Sequence, residues 1–207
     1  MESKISLLAI ALLLPSWLSC GSLKRFAYEG FGRDKWQHPE QVIQVLAIRP
    51  GEQVADVGAG GGYFTFRLAD AVGQNGRVYA VDVDEQMTDY LKDRAAKEGY
   101  RNVDVILSRP DDPQLPPGEI DLIFTSDTYH HIQGPTAYFA HAKRYLRPDG
   151  QLAIIDHNGK GWFAGLFGHY TPADTIRRDV EAAGYRLEHE YDFLPQQNFL
   201  VFTPQTQ

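Results

Sequence analysis

The chain has 207 residues, 43% apolar and 12% aromatic, enough for one well-buried core and too apolar for a disordered chain. Its 27 acidic residues outnumber 20 basic ones for a formal charge of −7, which argues against nucleic acid as a partner and towards small molecules. A single cysteine makes neither an internal disulfide nor a multi-cysteine zinc site.

Lys4 precedes an apolar run over 5–14, followed by Pro15, Ser16, Trp17, Leu18, Ser19 and Cys20-Gly21. This charge, short apolar run and small-residue end read as a signal peptide over 1–19. The run is shorter than the roughly 20 apolar residues of a spanning helix, and Pro15 interrupts its extension. Ser19-Cys20-Gly21 resembles the lipobox of bacterial lipoproteins, although Trp17 stands where leucine is usual. The resemblance implies that Cys20 becomes a lipidated first residue, giving a membrane-anchored lipoprotein of the bacterial cell envelope. A start further along would leave a cytoplasmic protein instead. Residues 20–35, with glycines, mixed charge and no sustained period, read as a tether to one domain over 36–207.

In that domain a helix is expected over 41–48, ended by Pro50-Gly51. Short apolar runs then alternate with helical segments: strand 54–57, helix 63–72, strand 77–83, helix 85–98 stopped by Gly99, and strands 103–107 and 120–125. A helix over 135–146 ends at Pro148-Asp149-Gly150, strand 152–156 follows, and helix 172–183 is capped by Gly184. Strands 185–193 and 198–202 are joined by too few residues for a crossover, so they form an antiparallel hairpin. Between the fifth strand and the helix over 172–183, 161–170 is glycine- and aromatic-rich, fitting a mobile apolar lid, a membrane-touching loop or a loop that merely covers the sheet.

The first strand runs into Asp56-Val-Gly58-Ala-Gly60-Gly61-Gly62-Tyr63. Such glycines let backbone N–H groups approach a ligand closely. The dinucleotide pattern Gly-x-Gly-x-x-Gly fails here, because Tyr63 occupies its third position. Asp56, at the end of a buried strand, is costly unless it binds a ligand amine or the loop's own N–H groups.

Asp56, Gly58, Gly60 and Gly62 resemble motif I of class I S-adenosylmethionine-dependent methyltransferases. That resemblance implies a Rossmann-like, mostly parallel seven-stranded α/β sheet, order 3-2-1-4-5-7-6, with helices on both faces and a closing antiparallel hairpin. It also implies the cofactor S-adenosyl-L-methionine. Asp82, at the end of the second strand, takes the family's ribose-binding position, with Asp84 as its neighbour. Met87 would lie against the adenine, and Asp111 in Ser108-Arg-Pro-Asp-Asp-Pro would meet the adenine amino group, with Asp112 second; an Asx turn is the alternative for both.

Methyl transfer needs nucleophile, methyl and sulfur in line, and positioning with water exclusion supplies most of the rate. Thr125-Ser-Asp-Thr-Tyr-His-His, after the fourth strand, holds the catalytic candidates Asp127, His130 and His131, with Tyr129 beside them and His157 second in rank. Adjacent residues of a helical turn point about 100° apart, so at most one of the two histidines serves a common cavity. Metal-using O-methyltransferases hold their ion with carboxylates and an amide; Asp156-His157-Asn158 stands there instead, and no metal is expected. The partner implied is a small-molecule acceptor. The alternative is a membrane-tethered binding protein that keeps the fold without turnover, which would explain an exported chain far from the cytoplasmic supply of the cofactor.

Overall fold

The computed structural model describes residues 32–160 and 170–205. The predicted signal peptide, Cys20, most of the predicted tether and 161–169 lie outside the described residues. Helices α1 (Asp34–Gln37) and α2 (Pro39–Leu46) lead into β1 (Gln53–Val57), α3 (Thr65–Val72), β2 (Arg77–Asp82), α4 (Glu85–Glu98) and β3 (Val103–Leu107). Next come β4 (Ile120–Ser126), a 3-10 turn at Tyr129–His131, α5 (Pro135–Ala142) and a second 3-10 turn at Lys143–Tyr145. The chain closes with β5 (Leu146–His157), α6 (Ala173–Ala182), β6 (Tyr185–Tyr191) and β7 (Gln197–Pro204).

The strands form one sheet in the expected order, β3-β2-β1-β4-β5-β7-β6. β1 to β5 run parallel, and β7 lies antiparallel between β5 and β6. Helices cover both faces, so β1 is buried from Val54 to Val57 without alternation. One face packs Ala55, Val57, Ile123 and Ile154 under Phe139 of α5 and Val180 of α6. The other packs Val54, Phe124, Ile155 and Phe199 under Val42 of α2 and Leu68 of α3. Each such apolar side chain contributes about 1.5–3 kcal/mol on burial. No helix among the described residues is long and apolar enough to cross a membrane.

Local signals set most boundaries. α4 begins where the Asp84 carboxylate accepts the Gln86 N–H at 2.9 Å and ends at Gly99 with φ of +81°. α2 starts earlier than expected because Pro39 fits the first helical turn, where no N–H is needed, and it stops at the left-handed Ala47. The helix predicted over 135–146 is shorter: it gives way to the 3-10 turn, and β5 starts at Leu146 rather than 152. Pro148-Asp149-Gly150 therefore lies inside the strand. The pairing with β4 shifts register there, and a Cβ on Gly150 would stand 2.9 Å from the Ile120 carbonyl oxygen, so the strand passes too close for a side chain. Asp34 and Lys35, predicted as tether, belong to α1.

Candidate active site

The carboxyl ends of β1, β2, β4 and β5 meet where the strand order reverses direction, the usual crevice for ligands in open α/β sheets. After Val57 the chain turns through the glycine loop. The N–H groups of Gly58 and Ala59 both donate to the Val81 carbonyl of β2, at 2.8 and 3.0 Å. Gly58 has φ of +77°, and a Cβ there would sit 2.1 Å from Thr128 Oγ1. Gly62, at +84°, would meet Phe66 and Leu91 at 2.5 and 2.8 Å. Only glycine fits either position. The loop is thus wedged between the turn after β4 and the α3–α4 layer.

Asp56 is buried, and its carboxylate accepts the Thr65 hydroxyl at 2.6 Å. Burial pushes its pKa up to about 6, with the Thr65 hydrogen bond opposing and the Asp82 charge adding to the rise. That contact fixes the first residue of α3 and so holds the loop from inside. Asp82 reaches the loop from β2. It accepts the Gly60 N–H at 2.8 Å on one oxygen and the Asp84 N–H at 2.9 Å on the other. A carboxylate has about four lone-pair directions, so two acceptor positions remain.

Beside Asp82 lie the exposed apolar side chains Val83, 57% exposed, and Leu107, 47% exposed, the latter paired in register with Asp82. Large apolar groups left in water at the edge of a crevice mark a contact surface. Met87, expected at the adenine, is only 1% exposed and faces the core from α4. Asp111 is 83% exposed in the turn after β3, 3.5 Å from Arg109. Asp112 is committed to the fold instead. It accepts the Tyr145 hydroxyl at 2.5 Å and the Gln114 N–H at 2.9 Å, and lies within ion-pair distance of Arg109, Arg144 and His141. Burial raises its pKa, but the Tyr145 hydroxyl, the Gln114 N–H and His141 outweigh that and hold it at about 2.

After β4, Asp127 adopts a left-handed φ of +55°. Its Oδ2 takes Arg33 Nη2 at 2.9 Å and Gln37 Nε2 at 3.2 Å, and its Oδ1 takes Gln197 Nε2 at 2.5 Å with His157 Nε2 3.4 Å away. With both oxygens occupied, this predicted catalytic carboxylate acts as a post that fixes α1 and the start of β7 to the end of β4. Trp36 stacks on His157, centroids 6.0 Å apart. His130 points elsewhere: its Nδ1 lies 2.7 Å from Oδ1 of the fully buried Asp156. His131 is exposed, its ring centroid 4.0 Å from that of His130. Tyr129 is structural, its hydroxyl donating to Asp179 of α6 at 3.0 Å and its ring stacked on Phe139.

The site therefore includes residues that sequence reasoning passes over as site groups: Arg33, Gln37, Val83, Leu107 and Gln197. It weighs Asp156 only as a metal ligand; a carboxylate closing the apolar run Leu-Ala-Ile-Ile is a signal that could have promoted it. Among the described residues no group of three or more His, Cys, Asp or Glu side chains converges to hold a metal ion.

Residues 48–185 match the family model described as "Methyltransferase domain". The chain belongs to that family. Among curated relatives, the methyltransferase domain is 32% identical over 114 residues to nocamycin O-methyltransferase of Saccharothrix syringae, covering 55% of this chain and 41% of that protein. It is 31% identical over 115 residues to the ubiquinone/menaquinone biosynthesis C-methyltransferase UbiE of Hydrogenovibrio crunogenus, covering 55% and 45%. The chain spans less than half the length of these two relatives. A solved SAM-dependent methyltransferase from Aquifex aeolicus superposes with a TM-score of 0.81 at 28% identity, covering 87% of this chain and 96% of that one. S-adenosylmethionine is thus the cofactor to be fitted. The spare acceptor positions of Asp82 suit a vicinal diol, and Val83 with Leu107 suits a flat apolar ring.

Proposed function

We propose that this protein transfers the methyl group of S-adenosylmethionine to a small-molecule acceptor, with Gly58, Gly60, Gly62, Asp82 and Asp111 holding the cofactor. When bound, the cofactor supplies an electrophilic methyl carbon on a sulfonium sulfur. The observation that carries the reading is the union of Gly60 and Asp82: a loop of glycines fixed to a carboxylate that keeps acceptor capacity beside an exposed apolar surface. The loop's positive-φ geometry is set before any ligand arrives, so binding needs little reordering of the backbone. Arg33, Gln37 and Trp36 close the neighbouring edge over β4 and β5, which limits water around the transfer. The small-molecule class follows from the acidic balance of the chain and from a crevice framed by side chains rather than a broad basic face.

Calorimetric titration of the full chain with S-adenosylmethionine tests the reading. Saturable binding that Asp82→Ala weakens at least tenfold is expected; no binding by the wild type would overturn it. We further propose, from the residues around Cys20 alone, that the domain is tethered at the cell envelope by a lipidated cysteine. Mass spectrometry of the mature amino terminus checks this: a diacylglyceryl-modified Cys20 is expected, and an unmodified or absent Cys20 rejects it.

A further inference from the structure

Among the described residues, two side chains at the meeting of β5 and β7 each present a buried polar atom without a hydrogen-bond partner: His157 through Nδ1 and Gln197 through Oε1. His157 closes β5, Gln197 opens β7, and the two are directly opposite in the antiparallel register. Residues so paired project to the same side of a sheet, with Cβ atoms about 4.5–5.5 Å apart. The backbone holds that spacing, for the Asn158 N–H donates to the Gln196 carbonyl at 3.1 Å just past the pair. Gln197 is only 3% exposed, so its orphaned oxygen is no surface group met by bulk solvent. Folded proteins leave few such atoms unmet, and a bound polar group or an ordered water is the usual occupant beside them.

Asp127 sets the hydrogen-bonding sense of both atoms. Gln197 Nε2 donates to Asp127 Oδ1 at 2.5 Å, so turning the amide over would set oxygen against oxygen, and Oε1 is held away from the carboxylate as an acceptor. His157 Nε2 lies 3.4 Å from the same Oδ1. A lone pair there would face the carboxylate's charge, so the neutral ring carries its hydrogen on Nε2 and keeps its lone pair on Nδ1. One carboxylate oxygen thus orients two neighbouring side chains alike, and together they offer a pair of acceptors. The corner is close to neutral, because the charge of Asp127 is met by Arg33 at 2.9 Å. Trp36 of α1 stacks on the imidazole, whose side chain stays 25% exposed, so the ring links the pair to the chamber edge that α1 closes.

We propose that His157 and Gln197 select the methyl acceptor by binding a neutral planar NH2 group, that of a carboxamide or an aromatic amine, through its two N–H bonds. The inference rests on the methyltransferase reading above, and it assigns the group by which the acceptor is recognised, not the atom that is methylated. An NH2 on a trigonal carbon brings two donors in one plane and no charge. A hydroxyl brings one donor and leaves the second acceptor unmet. A carboxylate sets acceptors against acceptors. An ammonium has donors enough, but a cation taken out of water needs a compensating charge, and that of Asp127 is spent on Arg33. Water is the competitor that also brings two donors and no charge, so the experiment separates the two.

The test titrates the full chain, isotope-labelled in nitrogen, with three probes on one ring frame: 2-naphthamide, its N,N-dimethyl amide and 2-naphthoate. The primary amide is expected to bind at least about tenfold more tightly than the other two, the worth of one unmade hydrogen bond, and to shift the Gln197 side-chain NH2 and the His157 ring nitrogens. His157→Gln keeps an N–H for Asp127 but removes the Nδ1 acceptor. It should weaken the primary amide by about tenfold and leave the dimethyl amide unchanged, whereas a merely structural role would weaken both alike. Equal weakening, equal binding of the three probes by the wild type, or no binding of the primary amide would overturn the proposal. So would an Nδ1–H tautomer of His157 in nitrogen NMR of the wild type, which needs no substitution. Signals at the pair that ignore the amide and exchange magnetisation with a long-lived water would show a structural water only, and reject it too. The titration is run with and without S-adenosylmethionine, so failure to bind the cofactor falls on that assignment and leaves the amide preference readable.

Discussion

The backbone N–H of Gly60 and the carboxylate of Asp82 meet at 2.8 Å, so the glycine loop is tied to the end of the neighbouring strand before any ligand binds. Under the proposed function one side chain both holds the loop and receives a diol. Asp82→Ala should therefore weaken S-adenosylmethionine more than the loss of its ligand contacts alone. Hydrogen bonds to a charged group are each worth about 1.5–3 kcal/mol, so a drop in affinity of at least tenfold is expected by calorimetry. Asp82→Asn, which still accepts from Gly60, should lose less. Equal losses in the two variants would show that the loop contact is irrelevant to binding.

Gly58→Ala places a methyl group against Thr128 in a backbone conformation that alanine resists. The left-handed conformation costs about 1–2 kcal/mol and overpacking about 1–3 kcal/mol more. Urea denaturation should show both. Adding Thr128→Gly removes the obstructing side chain and should restore only the packing share. Full recovery in the double variant would mean that the backbone is not strained at this position.

Asp56 gives stability a pH dependence whose sign is unusual for a carboxylate. Its pKa is about 6 when folded, against 3.8 for an unperturbed aspartate such as the unfolded chain presents, so between these values the folded state holds more protons. The cost of its burial is absent below pH 4, grows as pH rises, and is complete above pH 6, at up to about 3 kcal/mol. Asp56→Asn should melt higher than the wild type at pH 7.5, with the gap closing towards pH 4. A gap that is constant or widens on acidification would refute this account. Asp112 works in the opposite sense, its carboxylate stabilising the fold above pH 4 and releasing it as pH falls towards 2, so the comparison must be made between variant and wild type at each pH.

Gln37 is fully buried and donates to both Ser126 and Asp127. Gln37→Leu keeps the bulk of the side chain but removes the donor shared by those two acceptors. A loss of about 1–3 kcal/mol is expected in chemical denaturation, together with faster amide exchange in α1 and α2. Unchanged exchange would show that these helices are held by apolar packing alone.

The strands and the glycine loop were legible in the sequence because each depends on local pattern: apolar runs, turn residues, and glycines where side chains cannot fit; the sheet order came only from the family resemblance that the glycine loop carries, since strand order is not local. The start of β5 was not legible, since Pro148-Asp149-Gly150 carries a strong turn signal that pairing with Ile120 overrides. The site divided the same way. Asp82 could be found from its place at a strand end, but the partners of Asp127 come from positions far away in the chain, and nothing local in Arg33, Gln37 or Gln197 announces that they meet. Both histidines of the pair at 130–131 were visible; which one is anchored depends on Asp156, which only the register of β5 against β4 brings opposite the turn.

Asp127 joins Arg33, ahead of the first strand, to Gln197, at the start of the last. During synthesis the sheet's parallel half can assemble early, yet this carboxylate cannot gain its final ligand until β7 has left the ribosome and slotted between β5 and β6. A chain that stops before β7 would carry the glycine loop and Asp82 but lack the Gln197 contact through which Asp127 ties the start of the domain to its last strand.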